Sequence, residues 1–185
     1  MFPHYILIAL IAVAGLVIAG FTARSIGTKH PGNAKMQEIS GAIREGAIAF
    51  LNRQYKVLIW FVIGVAVLLT VFVNWQTAVS FILGAVLSAT AGNIGMRSAT
   101  KANTRAAAAK NLNDSLVISY RAGTVMGLAI ASLGILGIII LTAFFGAIGQ
   151  GIDKILSILF GFGFGASSIG LFCRVGGGIY TKLLT

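Results

Sequence analysis

Cysteine, histidine and acidic residues are scarce in this chain of 185 residues. A single cysteine, Cys173, excludes an intrachain disulfide and a cysteine metal cluster. The two histidines and four acids are scattered along the chain: His4, His30, Glu38, Glu45, Asp114 and Asp153. That scatter offers no metal-ligating cluster, no catalytic carboxylate pair and no nucleophilic triad. We therefore expect no catalytic and no metal-binding residue within these 185 residues.

Charge of either sign is also sparse, since only 10% of the residues are charged while 57% are apolar. The mean hydropathy is +0.95, far above that of a soluble domain of this size. The apolar residues come in five long blocks separated by short polar stretches. These features exclude a secreted mini-protein, a fibrous protein and a disordered chain, and they predict a membrane protein.

The charges that remain are mostly basic, with 14 Lys and Arg against four acids and a net charge of +10. In a soluble protein such an excess would suggest a nucleic-acid partner. Here most of the basic residues lie in two loops beside apolar blocks, without interleaved aromatic residues for stacking on bases. We therefore expect no nucleic-acid partner and interpret the loops as topology signals.

The apolar blocks predict an all-α fold, a polytopic transmembrane helix bundle of about five spans. The blocks cover about 5–23, 57–74, 77–96, 118–146 and 155–173. Four of them are close to the ~20 residues that cross the hydrocarbon, and the block 118–146 is long for one crossing. Successive connections carry six, zero, four and one Lys or Arg. This alternation predicts that the first and third connections are cytoplasmic, with the N-terminus outside and the C-terminus in the cytoplasm.

The first connection contains an amphipathic segment at about 34–55, where apolar residues recur at steps of three and four. We expect a cytoplasmic helix that runs into the second span. Two interpretations stay open: a helix lying on lipid headgroups, or one wall of a cytoplasmic site. The third connection contains an alanine-rich stretch at 105–110, which predicts that spans three and four also extend as helices into the cytoplasm.

Small residues recur every four positions in three of the predicted spans. The sets are Gly84, Ser88 and Gly92 in span three, Gly123, Gly127 and Ala131 in span four, and Gly161 and Gly165 in span five. In lipid, such stripes let helix backbones approach closely. We expect them to serve helix packing.

Arg174 stands out because it follows an apolar, glycine-rich span. An arginine there either extends to the headgroups or faces a polar cavity between helices. Three glycines, 176–178, follow it and precede Lys182, a point charge suited to phosphate. The spacing is not that of a Walker loop, and the alternating glycines at 161–165 lie inside a span, so they do not form a dinucleotide fingerprint.

The segment from Gly165 to Lys182 resembles the one that leads into the hydrolytic motif of membrane-integral inorganic pyrophosphatases. The segments 35–51 and 120–127 agree with that family in the same order. The resemblance implies the first five spans of an ion pump that hydrolyses cytoplasmic magnesium pyrophosphate and moves protons or sodium ions outward. It also implies that Lys182 contacts the substrate and that Arg174 lines the ion pathway where this meets the hydrolytic site.

The resemblance further implies Mg²⁺ as cofactor, K⁺ in some members, a homodimer, membrane lipid as surroundings, and a location in the bacterial inner membrane. In the family an Ala-Ala-Asp motif and further magnesium-binding aspartates follow the lysine, whereas here Leu183-Leu184-Thr185 follow. We therefore expect a truncated member, from a broken reading frame or a split protein, that is inactive alone.

Two other functions fit parts of the sequence. A non-enzymatic membrane subunit that assembles through its glycine, alanine and serine helix faces would share the topology without the chemistry. A small basic membrane protein that binds anionic lipid through Arg24 to Lys56 would explain the charge but not Arg174.

Overall fold

The computed structural model describes the backbone of residues 2–182 and the side chains of residues 5–174. Over that range the chain forms five helices: α1 (Phe2–Gly27), α2 (Ala34–Phe72), α3 (Trp75–Ala107), α4 (Leu112–Ala147) and α5 (Ile152–Lys182). All five are long and apolar enough to cross a membrane. The predicted all-α bundle with five spans is confirmed.

An asparagine is the N-cap residue of three of these helices. The side chains of Asn33, Asn74 and Asn111 accept hydrogen bonds from backbone N–H groups three residues later, at 2.9, 2.7 and 2.8 Å. Such caps satisfy donors that lack a partner in the first helical turn. Gly32 and Gly149 have positive φ angles of 88° and 82° in the turns before α2 and after α4, a conformation that glycine adopts without strain.

α2 is one continuous helix of 39 residues, so the amphipathic segment and the second span are not separate elements. At 1.5 Å per residue it is about 58 Å long, nearly twice the hydrocarbon thickness. The N-terminal segment of α2 packs against the C-terminal end of α3, where the Thr104 hydroxyl donates a hydrogen bond to Ser40 Oγ. The N-terminal segment of α2 therefore packs alongside the C-terminal part of α3, which continues as a helix through Ala107.

α3 lies at the centre of the bundle and packs against α2, α4 and α5, while α1 packs mainly against α4. One apolar cluster joins α1, α3 and α4 through Ala19, Ile26, Ala102, Ile118, Ala122 and Val125. A second joins α4 to α5 through Leu141, Phe145, Ile155, Ile158 and Phe162. A third joins α2, α3 and α5 through Leu58, Ala85 and Ile169.

Glycine brings α3 and α5 into backbone contact. A Cβ atom added to Gly84, Gly161 or Gly165 would lie within 3.0 Å of a backbone carbonyl oxygen on the opposite helix. A side chain at any of these positions would therefore push the two helices apart. The small-residue stripes of spans three and five thus lie where these two helices meet.

The stripe of span four behaves differently. No atom lies within 4 Å of a Cβ placed on Gly123 or Gly127, so this face is open in the part of the chain described. α4 instead packs through the adjacent face that carries Ala122, Val125 and Ala129. The sequence predicted that α4 packs through the face of Gly123 and Gly127. The face that packs in the structure is the neighbouring one, displaced by about one residue around the helix axis.

Candidate functional site

A cavity of about 580 Å³ lies between α2, α3, α4 and α5, and we call it the cleft. α4 and α5 contact each other through Phe145, Ile158 and neighbouring apolar residues. The cleft opens beyond that contact, between residues 126–134 of α4 and residues 162–174 of α5. Small residues of α3, including Gly84, Ala91 and Gly95, line it and leave its volume unfilled.

Most side chains that line the cleft are apolar, and its polar groups are few: Gln54, Ser88, Ser167 and Arg174. The Ser88 hydroxyl donates to the Ala166 carbonyl at 3.0 Å, so it helps to hold α5 against α3. The amide oxygen of Gln54 is buried without a hydrogen-bond partner among the described residues. The described residues that line the cleft therefore include one cationic side chain, a buried amide oxygen without a hydrogen-bond partner and no acidic residue.

Arg174 lines this cleft together with Cys173 and Ser167. Its side chain is exposed in the described part of the chain. The sequence left two positions open for this side chain, the headgroups or a cavity between helices, and an exposed side chain at the edge of the cleft is compatible with both. In apolar surroundings a cation is costly unless water or counter-charges reach it, and the cleft places Arg174 on the same cavity as the polar side chains of Gln54 and Ser167.

Beside the cleft, polar contacts tie α2 to α3. The Tyr55 hydroxyl donates to the Ala89 carbonyl at 3.0 Å, across two helices. The side-chain oxygen of Asn93 accepts a hydrogen bond from Arg97 Nε at 2.6 Å on the same helix. Gln54 and Tyr55 were not predicted as site residues, because the sequence around them shows only the pattern of an amphipathic helix.

Lys182 is the last residue of α5. Its side chain lies outside the described residues. The backbone nevertheless continues as a helix from Arg174 to Lys182. At 1.5 Å per residue this separates the two positions by about 12 Å along the axis of α5.

The comparison with known proteins decides the family. The family model described as inorganic H⁺ pyrophosphatase matches residues 13–184 of this chain. The chain belongs to the inorganic H⁺ pyrophosphatase family. This confirms the resemblance found in the sequence, and with the five apolar helices it makes the chain an integral membrane protein.

Several curated relatives of this pyrophosphatase-family chain are named as pumps. It is 45% identical to the K⁺-insensitive pyrophosphate-energized proton pump 2 of Moorella thermoacetica, over 92% of this chain and 25% of the relative. It is 39% identical to the K⁺-stimulated pyrophosphate-energized sodium pump of Thermotoga maritima, over 94% and 27%. It is 42% identical to the K⁺-insensitive proton pump of Caldanaerobacter subterraneus, over 93% and 27%. The chain thus spans about a quarter of the length of these relatives.

The Mg²⁺ that the family resemblance implies does not fit the described residues of this pyrophosphatase-family chain. Within them, no group of three His, Cys, Asp or Glu side chains comes close enough to hold a metal ion. Glu38 is paired with Lys35 at 3.0 Å on an exposed face of α2. Magnesium requires oxygen ligands, usually carboxylates, and these helices do not bring their acids together.

Other basic residues have structural partners. The Arg105 guanidinium donates to the carbonyl of Gly27, the last residue of α1, at 3.1 Å and to that of Lys29, two residues beyond the helix, at 3.2 Å. Carbonyls at a helix end lack partners within the helix and carry partial negative charge. Arg121 donates to Ser25 Oγ at 3.2 Å. Two of the basic residues, Arg105 on α3 and Arg121 on α4, therefore connect these helices to α1 and the turn that follows it.

Proposed function

We propose that this chain forms part of a pyrophosphate-energised ion pump, which couples hydrolysis of cytoplasmic pyrophosphate to outward transport of protons or sodium ions. The single observation that carries the proposal is the family match across residues 13–184. It is supported by the named activities of the relatives, which include both proton and sodium pumps.

We assign the ion pathway to the cleft, with Arg174 as the residue that lines it. A guanidinium keeps its charge at any physiological pH and holds nearby carboxylates in their ionised form. In a cleft with no acid of its own among the described lining residues, such carboxylates would come from other segments of the protein. Arg174 is then the fixed positive charge against which a mobile cation or proton is moved.

We assign substrate contact to Lys182. A lysine ammonium is a compact charge that binds phosphate oxygens, and α5 carries this residue about 12 Å beyond Arg174 along its axis. The same helix would therefore join the pyrophosphate site to the ion pathway. A shift or rotation of α5 on substrate binding would be transmitted directly to the cleft.

We also propose that Mg²⁺ accompanies the pyrophosphate, that K⁺ acts as an activator if this chain follows the K⁺-stimulated relatives, and that the intact pump is a homodimer. The open face of α4 with Gly123 and Gly127 is available for packing against further helices or a second subunit. The same open face would suit the alternative of a non-enzymatic subunit. That alternative does not account for the family match through residue 184.

The proposed orientation has the N-terminus outside, and the end of α5 in the cytoplasm of a bacterial inner membrane. It is supported by the basic connection between α3 and α4 and by the absence of Lys and Arg between 57 and 96. A membrane-impermeant thiol reagent applied from outside should label a cysteine placed at Gln150 but not one placed at Asn113. The reverse labelling would contradict the orientation.

Membranes that contain the 185-residue chain by itself should release no phosphate from magnesium pyrophosphate above background. The reason is that its described residues bring no carboxylates together to hold the metal ion. The assay measures phosphate release in parallel from membranes that contain an intact relative, which serves as the positive control. Clear magnesium-dependent release by the chain alone would contradict the proposal that catalysis needs further segments.

A further inference from the structure

One exposed face of α2 carries two unbalanced cations beside a tryptophan. A shallow groove on this face is lined by Ala49, Asn52, Arg53, Lys56, Val57 and Trp60. Arg53, Lys56 and Trp60 are all exposed, and Trp60 is 76% exposed. The residues by which α2 packs, such as Leu51 and Leu58, lie on another side of the helix. The groove therefore faces away from the described bundle.

The depth of this groove follows from the length of α2. α2 ends at Phe72, and a two-residue turn leads directly into α3 at Trp75. Counting about 20 residues back from Phe72, the number that spans the hydrocarbon, reaches Arg53. Arg53 and Lys56 thus lie at the boundary between hydrocarbon and headgroups, and Trp60 lies one helical turn inside it.

A second groove on α2 provides the contrast. It lies farther from the membrane and is lined by Gly41, Arg44, Glu45, Ile48, Ala49 and Asn52. There the charge of Arg44 is accompanied by the opposite charge of Glu45, whereas the groove beside Trp60 contains two cations and no acid. The excess of positive charge is therefore concentrated at headgroup depth.

We propose that this groove binds the headgroup phosphate of an anionic phospholipid in the cytoplasmic leaflet. Arg53 and Lys56 hold the phosphate, since both side chains can extend along the helix while their apolar stems stay in the hydrocarbon. Trp60 packs along the upper part of the acyl chain, at the depth where tryptophan is enriched in membrane proteins. Exposed Ile63 and Val67 continue the apolar surface below it.

The test follows Trp60 fluorescence in the 185-residue chain with Trp75→Phe, which leaves Trp60 as the one tryptophan. The protein is reconstituted in vesicles of phosphatidylcholine and phosphatidylglycerol, and the bromine quencher is attached to the chains of one lipid or the other at equal mole fraction. We expect brominated phosphatidylglycerol to quench Trp60 more strongly than brominated phosphatidylcholine. The double substitution Arg53→Gln and Lys56→Gln should reduce that preference, on the order of fivefold for each cation removed at low ionic strength.

The matched control replaces Lys35 and Arg44 with glutamine, which removes two charges from the same helix at a greater distance from Trp60. It should leave the preference intact. Equal quenching by the two lipids, quenching by neither, or a preference that survives the loss of Arg53 and Lys56 would overturn the proposal. Loss of the preference on addition of inorganic phosphate at constant ionic strength would assign the cations to a soluble anion and would also overturn it.

Discussion

Replacing Gly165 with alanine is expected to lower the stability of the helix bundle by about 2–3 kcal/mol, at the upper end of what one overpacked methyl group costs. The new Cβ would collide with the carbonyl oxygen of Phe81 and approach the backbone nitrogen of Ala85. Both obstacles are backbone atoms of α3, so no side-chain rotation relieves them. α3 and α5 would have to separate, which weakens the ring contact between Phe81 and Phe164, whose centroids are 5.3 Å apart.

The same helix offers a matched control at Gly163, two residues away, where no atom lies within 4 Å of an added Cβ. Gly163→Ala should leave stability unchanged or raise it slightly, because alanine is the better helix former. Unfolding of the purified chain in mild detergent, followed by circular dichroism, measures the difference. Equal unfolding midpoints for the two variants would contradict the close contact between α3 and α5.

Replacing the counterpart of Lys182 with alanine in an intact relative is expected to lower kcat/KM for pyrophosphate by about 10- to 100-fold. The estimate reflects the loss of one charge-assisted hydrogen bond, about 1.5–3 kcal/mol. Arginine at the same position should recover part of the loss, since it keeps the charge but not the compact ammonium. Phosphate release at limiting substrate measures the effect.

Lys154 provides the control for that substitution. It is an exposed lysine in the first turn of the same helix, at the end opposite to Lys182. Alanine at the counterpart of Lys154 in the same relative should leave kcat/KM unchanged. If turnover at limiting substrate is unchanged by alanine at the counterpart of Lys182, this lysine does not contact the substrate.

The number and type of the helices could be predicted from the sequence because both follow from local composition. A hydrophobic block of about 20 residues must satisfy its backbone hydrogen bonds internally, and a helix achieves this. The helix starts at Asn33, Asn74 and Asn111 are equally local, since each cap depends on a residue three positions away. The family likewise followed from a short specific segment around Arg174 and Lys182.

The cleft could not be predicted, because it depends on how four helices meet. Gly84 and Gly165 belong to stripes of similar appearance to that of Gly123 and Gly127, yet the first pair makes backbone contact and the second faces open space. Periodicity identifies a small-residue face without stating which helix covers it. The burial of the Gln54 amide oxygen without a hydrogen-bond partner could not be predicted for the same reason, since it depends on the neighbours of Gln54 on other helices.

The proposed role of Arg174 in the ion pathway is tested most directly by the number of ions moved per phosphate released. In vesicles that contain an intact relative, alanine at the counterpart of Arg174 should reduce pyrophosphate-driven ion uptake by more than about tenfold, consistent with the loss of one charged contact, and should reduce phosphate release much less. Alanine at the counterpart of Arg121, which bonds to Ser25 away from the cleft, should leave the ratio unchanged. An unchanged ratio of transport to hydrolysis without Arg174 would contradict the assignment of the cleft as the ion pathway.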